Sequence, residues 1–245
     1  MNSYKEKFES DGFFKVNNFL NIEDINAILE EIKDSKNVDI YKDRNNKIRR
    51  IERIYDKGET LIKINEQFID LIKKHLDLEV LLFKDKFNMK PPGGEGFGAH
   101  YDGIFHFIDS NNNIKNGWYE YGNSFLSVLL SLDDSNQENG TLEIAKSHSD
   151  NFDELLKNTK NDGSPDLLES IENKTSFEKI NLNAGDLLIF KNTCPHRSDK
   201  NSSKFNRRIL YYTYLPNEFG NQYENYFRDK NMSKNKTSKS LSGKI

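Results

Sequence analysis

Apolar positions in the first third of the chain recur at helical spacing. Ile22, Ile25, Ile28, Leu29 and Ile32 follow Asn21, a residue suited to cap a helix, and Glu23 and Asp24 suit the positive end of its dipole. A second helical face comprises Leu61, Ile64, Phe68, Ile69, Leu71 and Ile72. Between them, the charged stretch from Asp39 to Arg53, with Asn45-Asn46 inside it, reads as a loop. From Val80 onward the rhythm changes to short apolar runs separated by turn residues. Strands are expected over Leu81–Met89, Gly98–Phe107, Ser124–Leu132, Thr141–Ala145, Leu182–Phe190 (interrupted at Gly185-Asp186) and Arg207–Leu215. In the last of these, alternation puts Arg207, Ile209, Tyr211 and Thr213 on one face. Residues 151–173 read as a polar insertion, helical or irregular. No fixed-period repeat is present. The sum is a mainly β protein with N-terminal helices, a sandwich or jelly roll. Residues 1–230 are expected to form a single domain, and 231–245, rich in Lys, Ser and Asn, a disordered polar tail.

Composition narrows the function. The chain has 245 residues, with 36 basic and 39 acidic side chains, which gives no reason to expect a nucleic-acid partner. The longest apolar run, Phe125–Leu132, is too short to span a bilayer, and the first ten residues lack the apolar stretch of a secretory signal. The lone Cys194 cannot form an internal disulfide, so a cytoplasmic location is expected. Any metal site must draw on five histidines, that one thiol and carboxylates.

His100 and Asp102, in GAHYDGIF, stand two apart and so share one strand face. His196, in the Pro-bearing turn CPHRSD, is the best third ligand. Two imidazoles and one carboxylate form the facial triad of non-haem Fe(II) oxygenases and leave coordination positions open. Arg207 opens a strand eleven residues after His196, where a guanidinium can grip a carboxylate bidentately. A metal triad plus an acid anchor fits a 2-oxoacid cosubstrate.

Four segments then carry a resemblance: DGFFKVNNFLNIEDINAILEEI near the start, HYD, ENGTLEIAKSH, and AGDLLIFKNTCPHRSDKNSSKFNRRILYYTY. In this order they resemble the phytanoyl-CoA dioxygenase superfamily of Fe(II)/2-oxoglutarate oxygenases. The resemblance implies a double-stranded β-helix, the cupin-like jelly roll. It implies iron bound by His100, Asp102 and His196, and the distal carboxylate of 2-oxoglutarate held by Arg207 with help from Ser198. It also implies hydroxylation coupled to conversion of 2-oxoglutarate and O2 into succinate and CO2. The intact Asp102 argues against a halogenase, which has a small residue there. Lys146 departs from the glycine common in the family before Ser-His.

A narrower similarity, through FKDKFNMKPPGGEGFGAHYD and YFRDKN, is to the 2-aminoethylphosphonate hydroxylase-like branch, although Tyr101 stands where that branch commonly has Gln. The substrate implied is a small polar metabolite, with a phosphonate favoured over an acyl-CoA. Lys86, Asn88 and Lys90 share one strand face by period two. Lys86 has two readings, an anion contact in the site or a solvated outer lysine. Residues 42–53 read as a lid attracting anions or, preferably, as a solvated loop. Strict alternation would turn His106 inward. Tyr101 is expected to pack on the opposite face, His148 to hold a loop, Cys194 to be a small buried residue, and Trp118 to cap the pocket or pack. A monomer or homodimer is expected. The competing reading is a jelly-roll binding protein that is non-catalytic or holds zinc.

Overall fold

In the computed structural model, residues 3–109, 112–160 and 162–237 are described. Helix α1 (Tyr4–Ser10) leads into strand β1 (Phe13–Val16), and α2 (Ile22–Asp34) follows. A hairpin, β2 (Asp39–Lys42) and β3 (Ile48–Glu52), precedes α3 (Glu59–Leu76). The strand-rich part comprises β4 (Val80–Lys90), β5 (Phe97–His100), β6 (Phe107–Ile108), β7 (Ile114–Lys115), β8 (Leu126–Ser131) and β9 (Leu142–Ile144). Two short helices, α4 (Phe152–Leu156) and α5 (Glu169–Glu172), interrupt it. Strands β10 (Glu178–Ile180), β11 (Leu187–Lys191), β12 (His196–Ser198) and β13 (Arg207–Pro216) then lead to α6 (Tyr223–Thr237).

Seven strands form one antiparallel sheet in the order β1-β11-β8-β13-β4-β3-β2, and four form another in the order β10-β9-β12-β5. Two facing antiparallel sheets make the jelly roll expected from the sequence. The side chains between them include Leu129, Leu142, Ile144, Phe190, Ile209 and Tyr211. The outer face of the large sheet is covered by α2 and α3, whose buried stripes Ile25, Ile28, Ile32 and Leu61, Ile64, Phe68, Ile72 meet Val128, Leu130, Leu210 and Tyr212. Burying one such side chain contributes about 1.5–3 kcal/mol, which is why the amphipathic pattern decides where these helices dock. Asn21 accepts from the Asp24 amide at 2.9 Å, as the sequence predicts for a cap. The start of α3 has Gly58 and so no side-chain cap of its own. Glu31 of α2 substitutes, accepting from the Thr60 and Leu61 amides at 2.8 and 2.9 Å and tying the two helices together.

Three sequence expectations need correction. The charged stretch 39–53 is not a loop but the β2–β3 hairpin on the edge of the large sheet. Its turn is held by the Asp43 carboxylate, which accepts from the amides of Asn45 and Lys47 at 2.9 and 3.0 Å. Charge on alternate positions of an edge strand is compatible with pairing on one side only, and it obscured Ile48 and Ile51. The strand expected over 98–107 ends at His100, so alternation does not extend to His106, which is exposed beside Phe152 at 6.0 Å between ring centroids. Residues 231–237 of the expected tail continue α6. That helix is anchored by buried Tyr223 and Phe227 and by Arg53, which donates to Glu224 at 2.8 Å. Residues 238–245 lie outside those described.

Candidate functional site

His100 ends β5 and His196 begins β12, and the two are directly opposite in the ladder, with ring centroids 4.3 Å apart. His100 Nδ1 lies 2.7 Å from the Gly98 carbonyl and His196 Nδ1 lies 3.1 Å from the Cys194 carbonyl. A carbonyl only accepts, so each Nδ1 donates its proton there and Nε2 is the atom left to ligate. Asp102 lies just past the end of β5, where its backbone carbonyl accepts from Asn192 at 3.2 Å. Its Oδ2 stands 3.9 Å from His196 Nε2. One ligand atom from each of His100, Asp102 and His196 lies within 4.8 Å of the others, and among the described residues no other group of metal-ligating side chains does this.

The electrostatics fit a cation. Burial drives the His196 imidazole down to about 4, helped by His100 and opposed by Asp102, so it is neutral at neutral pH. Burial alone would raise the Asp102 carboxyl, but Lys86, His196 and Lys84 overcome it and hold the group well below the usual carboxylate range. A neutral His196 and an ionised Asp102, with the Nδ1 positions of both imidazoles already committed to carbonyls, suit an Fe(II) ion.

Around this cluster is a cavity of about 410 Å³ lined by the three residues and by Arg207, Ser198, Lys86, Asn88 and Tyr211 among others. Arg207 opens β13 opposite Lys90 of β4 and is 5% exposed, yet its Nε and Nη1 have no hydrogen-bond partner among the described residues. Burial lowers it to about 10, still far above neutral pH. Unpaired buried guanidinium nitrogens are costly, which marks a position awaiting an anion. The Ser198 hydroxyl accepts from Lys90 Nζ at 2.9 Å. Lys90 also donates to the carbonyls of Gly140 and Asp199, and its own backbone carbonyl accepts from Asn201 at 2.8 Å. This network fixes the floor beneath Arg207. Lys86 lines the cavity, with its ammonium 4.5 Å from the Tyr211 ring centroid and pushed down by burial to about 7.

Several predicted roles resolve here. Tyr101 is buried away from the metal ligands, its hydroxyl 2.6 Å from His148 Nδ1 and accepting from Asn158 at 3.3 Å, so His148 does tie a loop. The Cys194 thiol faces the Asp11 carbonyl, and burial drives it up to about 12, leaving it no part in the metal cluster. Lys146 pairs with Asp11 outside the site.

Sequence reasoning missed Lys84, Lys230 and Tyr226, and placed Arg50 in a loop. All four line the cavity. The signal for Lys84 was available, because it precedes Lys86 by one period of the strand. A β-bulge opposite Thr213 and Tyr214 leaves Phe83 without a partner, so that Lys84 and Phe83 both meet the same two rings, Trp118 and Tyr226. Nothing local announced that α6 returns to place Lys230 beside Glu52.

The sequence profile of phytanoyl-CoA dioxygenase (PhyH) matches residues 8–209, which includes all three candidate metal ligands and Arg207. A 2-aminoethylphosphonate dioxygenase from uncultured bacterium HF130_AEPn_1 is 27% identical over 245 residues, covering 92% of this chain and 86% of the relative. A methylphosphonate hydroxylase from Gimesia maris is 29% identical over 154 residues, 62% of this chain and 52% of the relative. Among solved structures, EctD from S. alaskensis with 2-oxoglutarate and 5-hydroxyectoine superposes with a TM-score of 0.66 at 16% identity, over 86% of this chain and 74% of that one, a likeness of fold. With the profile spanning most of the chain and the His–Asp–His cluster inside it, the chain belongs to the phytanoyl-CoA dioxygenase family.

Proposed function

We propose that this chain is an Fe(II)- and 2-oxoglutarate-dependent hydroxylase of a small polar metabolite, with a phosphonate as the favoured class. In this reading His100, Asp102 and His196 hold the iron. Arg207, with Ser198, receives the distal carboxylate of 2-oxoglutarate. The observation that carries the proposal is Arg207, whose buried guanidinium has two unpaired nitrogens on the same cavity as the metal cluster. A facial triad alone would serve many metal enzymes. A triad facing an unneutralised arginine asks for a metal-chelating acid with a second carboxylate.

Iron bound there supplies the activation of O2 and the oxidising power that side chains lack. The residues supply position. The carbonyls of Gly98 and Cys194 fix both imidazoles with Nε2 turned to the metal. Lys90 holds Ser198 in place, so two donors of fixed geometry await one carboxylate. Tyr211, on the same strand face as Arg207, walls the cavity between the arginine and Lys86. The phosphonate class is supported by the 2-aminoethylphosphonate dioxygenase that aligns over 92% of this chain, and by the lysines of the cavity.

The test is succinate release with Fe(II), ascorbate and 2-oxoglutarate, across phosphonates, amino acids, quaternary amines and acyl thioesters. Stimulation by a phosphonate supports the reading. Selective stimulation by acyl thioesters would overturn the substrate class, and failure to bind either Fe(II) or 2-oxoglutarate would overturn the activity. Metal analysis of anaerobically purified protein separates iron from zinc.

A further inference from the structure

Four basic side chains converge at the end of the cavity away from Arg207. Lys84 and Lys86 project from β4, Arg50 from β3 and Lys230 from α6. Lys84 is 7% exposed, and its ammonium lies 4.4 Å from the Trp118 ring centroid and 5.4 Å from that of Tyr226. Its one hydrogen bond among the described residues is to the Tyr226 hydroxyl at 3.5 Å. Lys86 lies 4.5 Å from the Tyr211 ring centroid. Among the described residues neither lysine has an ion-pair partner.

The acids nearby are already engaged. Glu52 accepts from Lys230 and from Arg50. Asp166 pairs with Lys160 at 3.3 Å, and the remaining lining cation, Arg197, is held by Glu143 and Glu172. Asp102 supplies negative charge to the lysines only until it ligates a metal. Once it does, Lys84, Lys86, Arg50 and Lys230 share the single carboxylate of Glu52. Aromatic rings offset only part of the cost of burying an unpaired ammonium.

The cosubstrate does not reach this far. Arg207 is opposite Lys90, whereas Lys84 is six residues back along β4, roughly 20 Å at about 3.3 Å per residue. A five-carbon diacid seated on Arg207 and the metal leaves the Lys84 end open.

We propose that Lys84 and Lys86, backed by Arg50 and Lys230, seat a doubly charged phosphonate group of the substrate and select it over singly charged anions of the same shape. This assignment rests on the hydroxylase reading. The headgroup lies against Lys84, Trp118 and Tyr226, and Lys86, next to Asp102, bridges it to the reacting carbon. Arg50 and Lys230, already sharing Glu52, add charge without moving.

Trp118 is the only tryptophan in the chain, so its emission reports occupancy of this seat directly. Iron-free protein is titrated with methylphosphonate, at a pH where it is doubly ionised, and in parallel with methanesulfonate. The expected result is a saturable emission change for methylphosphonate and at least tenfold weaker binding of methanesulfonate. Lys84→Met and Lys86→Met should each weaken methylphosphonate at least tenfold, Lys84→Arg should recover much of the loss, and Arg208→Met should change nothing. Melting temperatures control for folding, and Lys84→Met should melt no lower than the parent because it removes an unpaired buried charge. Equal affinity for the two anions, no response to methylphosphonate, or full retention in Lys84→Met overturns the proposal. If both lysine variants fail to fold, the comparison of the two anions on the parent protein decides it. The titration contains neither iron nor 2-oxoglutarate, so failure of the hydroxylase reading, seen as absent succinate release, is a separate outcome.

Discussion

On the β4–β13 pair, charges on opposite faces, Asp85 on one and Arg207 with Lys86 on the other, are treated in opposite ways. On the helix-covered face, Asp85 is fully buried and accepts from the Tyr55 amide at 2.9 Å, the Tyr223 hydroxyl at 2.7 Å and the Ile54 amide. On the face toward the other sheet, Arg207 leaves two nitrogens unpaired and Lys86 has no ionic partner among the described residues. Neighbouring residues on one strand sharpen the contrast. Arg208 grips Asp133 with two nitrogens at 2.6 and 2.8 Å, while Nε and Nη1 of Arg207 have no partner among the described residues. Buried polar groups in folded proteins are paired as a rule. Asp85 and Arg208 are therefore structural, whereas Arg207 and Lys86 line the cavity without such partners among the described residues.

This contrast can be broken at several points. Replacing His196 or Asp102 by Ala should abolish succinate release while leaving the circular dichroism spectrum intact. Asp85→Ala should do the reverse. It strands three buried donors, so urea denaturation should show a loss of about 3 kcal/mol or more, and any remaining folded protein should keep its affinity for 2-oxoglutarate. Arg207→Met should raise the 2-oxoglutarate requirement by about a hundredfold, the loss of a charge-assisted bidentate contact, whereas Arg208→Met should shift it by less than about threefold. An unchanged requirement in Arg207→Met would move the anchor elsewhere.

Acid provides a further test. Burial works to raise the Glu52 carboxyl, but Lys230, Lys84 and Arg50 overcome it and hold it at about 2, below the ordinary value of about 4.3. A carboxyl depressed in the folded state contributes stability that is complete above the unfolded value and is lost as pH falls from about 4.3 through 2. The melting temperature should drop across that window, and Glu52→Gln should flatten the contribution of this group. The smallest effect belongs to Ser198→Ala, expected to weaken 2-oxoglutarate severalfold, about 1 kcal/mol for one hydrogen bond.

Much of this site was legible in the order of residues. His100, Asp102, His196 and Arg207 were found because strand period and ligand chemistry constrain each other, and the structure brings all four to one cavity. Strand alternation places Asp102 beside His100, although the strand ends at His100. The carboxylate nevertheless falls within reach, because two residues past a strand end leave little room to wander. The same assumption failed for His106, four residues further on. The anionic seat was largely hidden. Lys84 was within reach of strand period, but Arg50 sat in a stretch whose charge masked a hairpin, and Lys230, the last residue of the expected domain, lies on a helix with no apolar period to announce it. Long-range return of a polar segment has no local signature. Only the buried aromatics Tyr223 and Phe227, seven and three residues before Lys230, hinted that the chain end packs.

The central claim is that the metal cluster and the buried Arg207 are completed by metal and diacid together. Anaerobic titration calorimetry of 2-oxoglutarate, with and without Fe(II), tests it most directly. The account predicts binding that depends on Fe(II), disappears in His196→Ala, and weakens about a hundredfold in Arg207→Met. Binding of equal strength without Fe(II), or indifferent to Arg207, would contradict it.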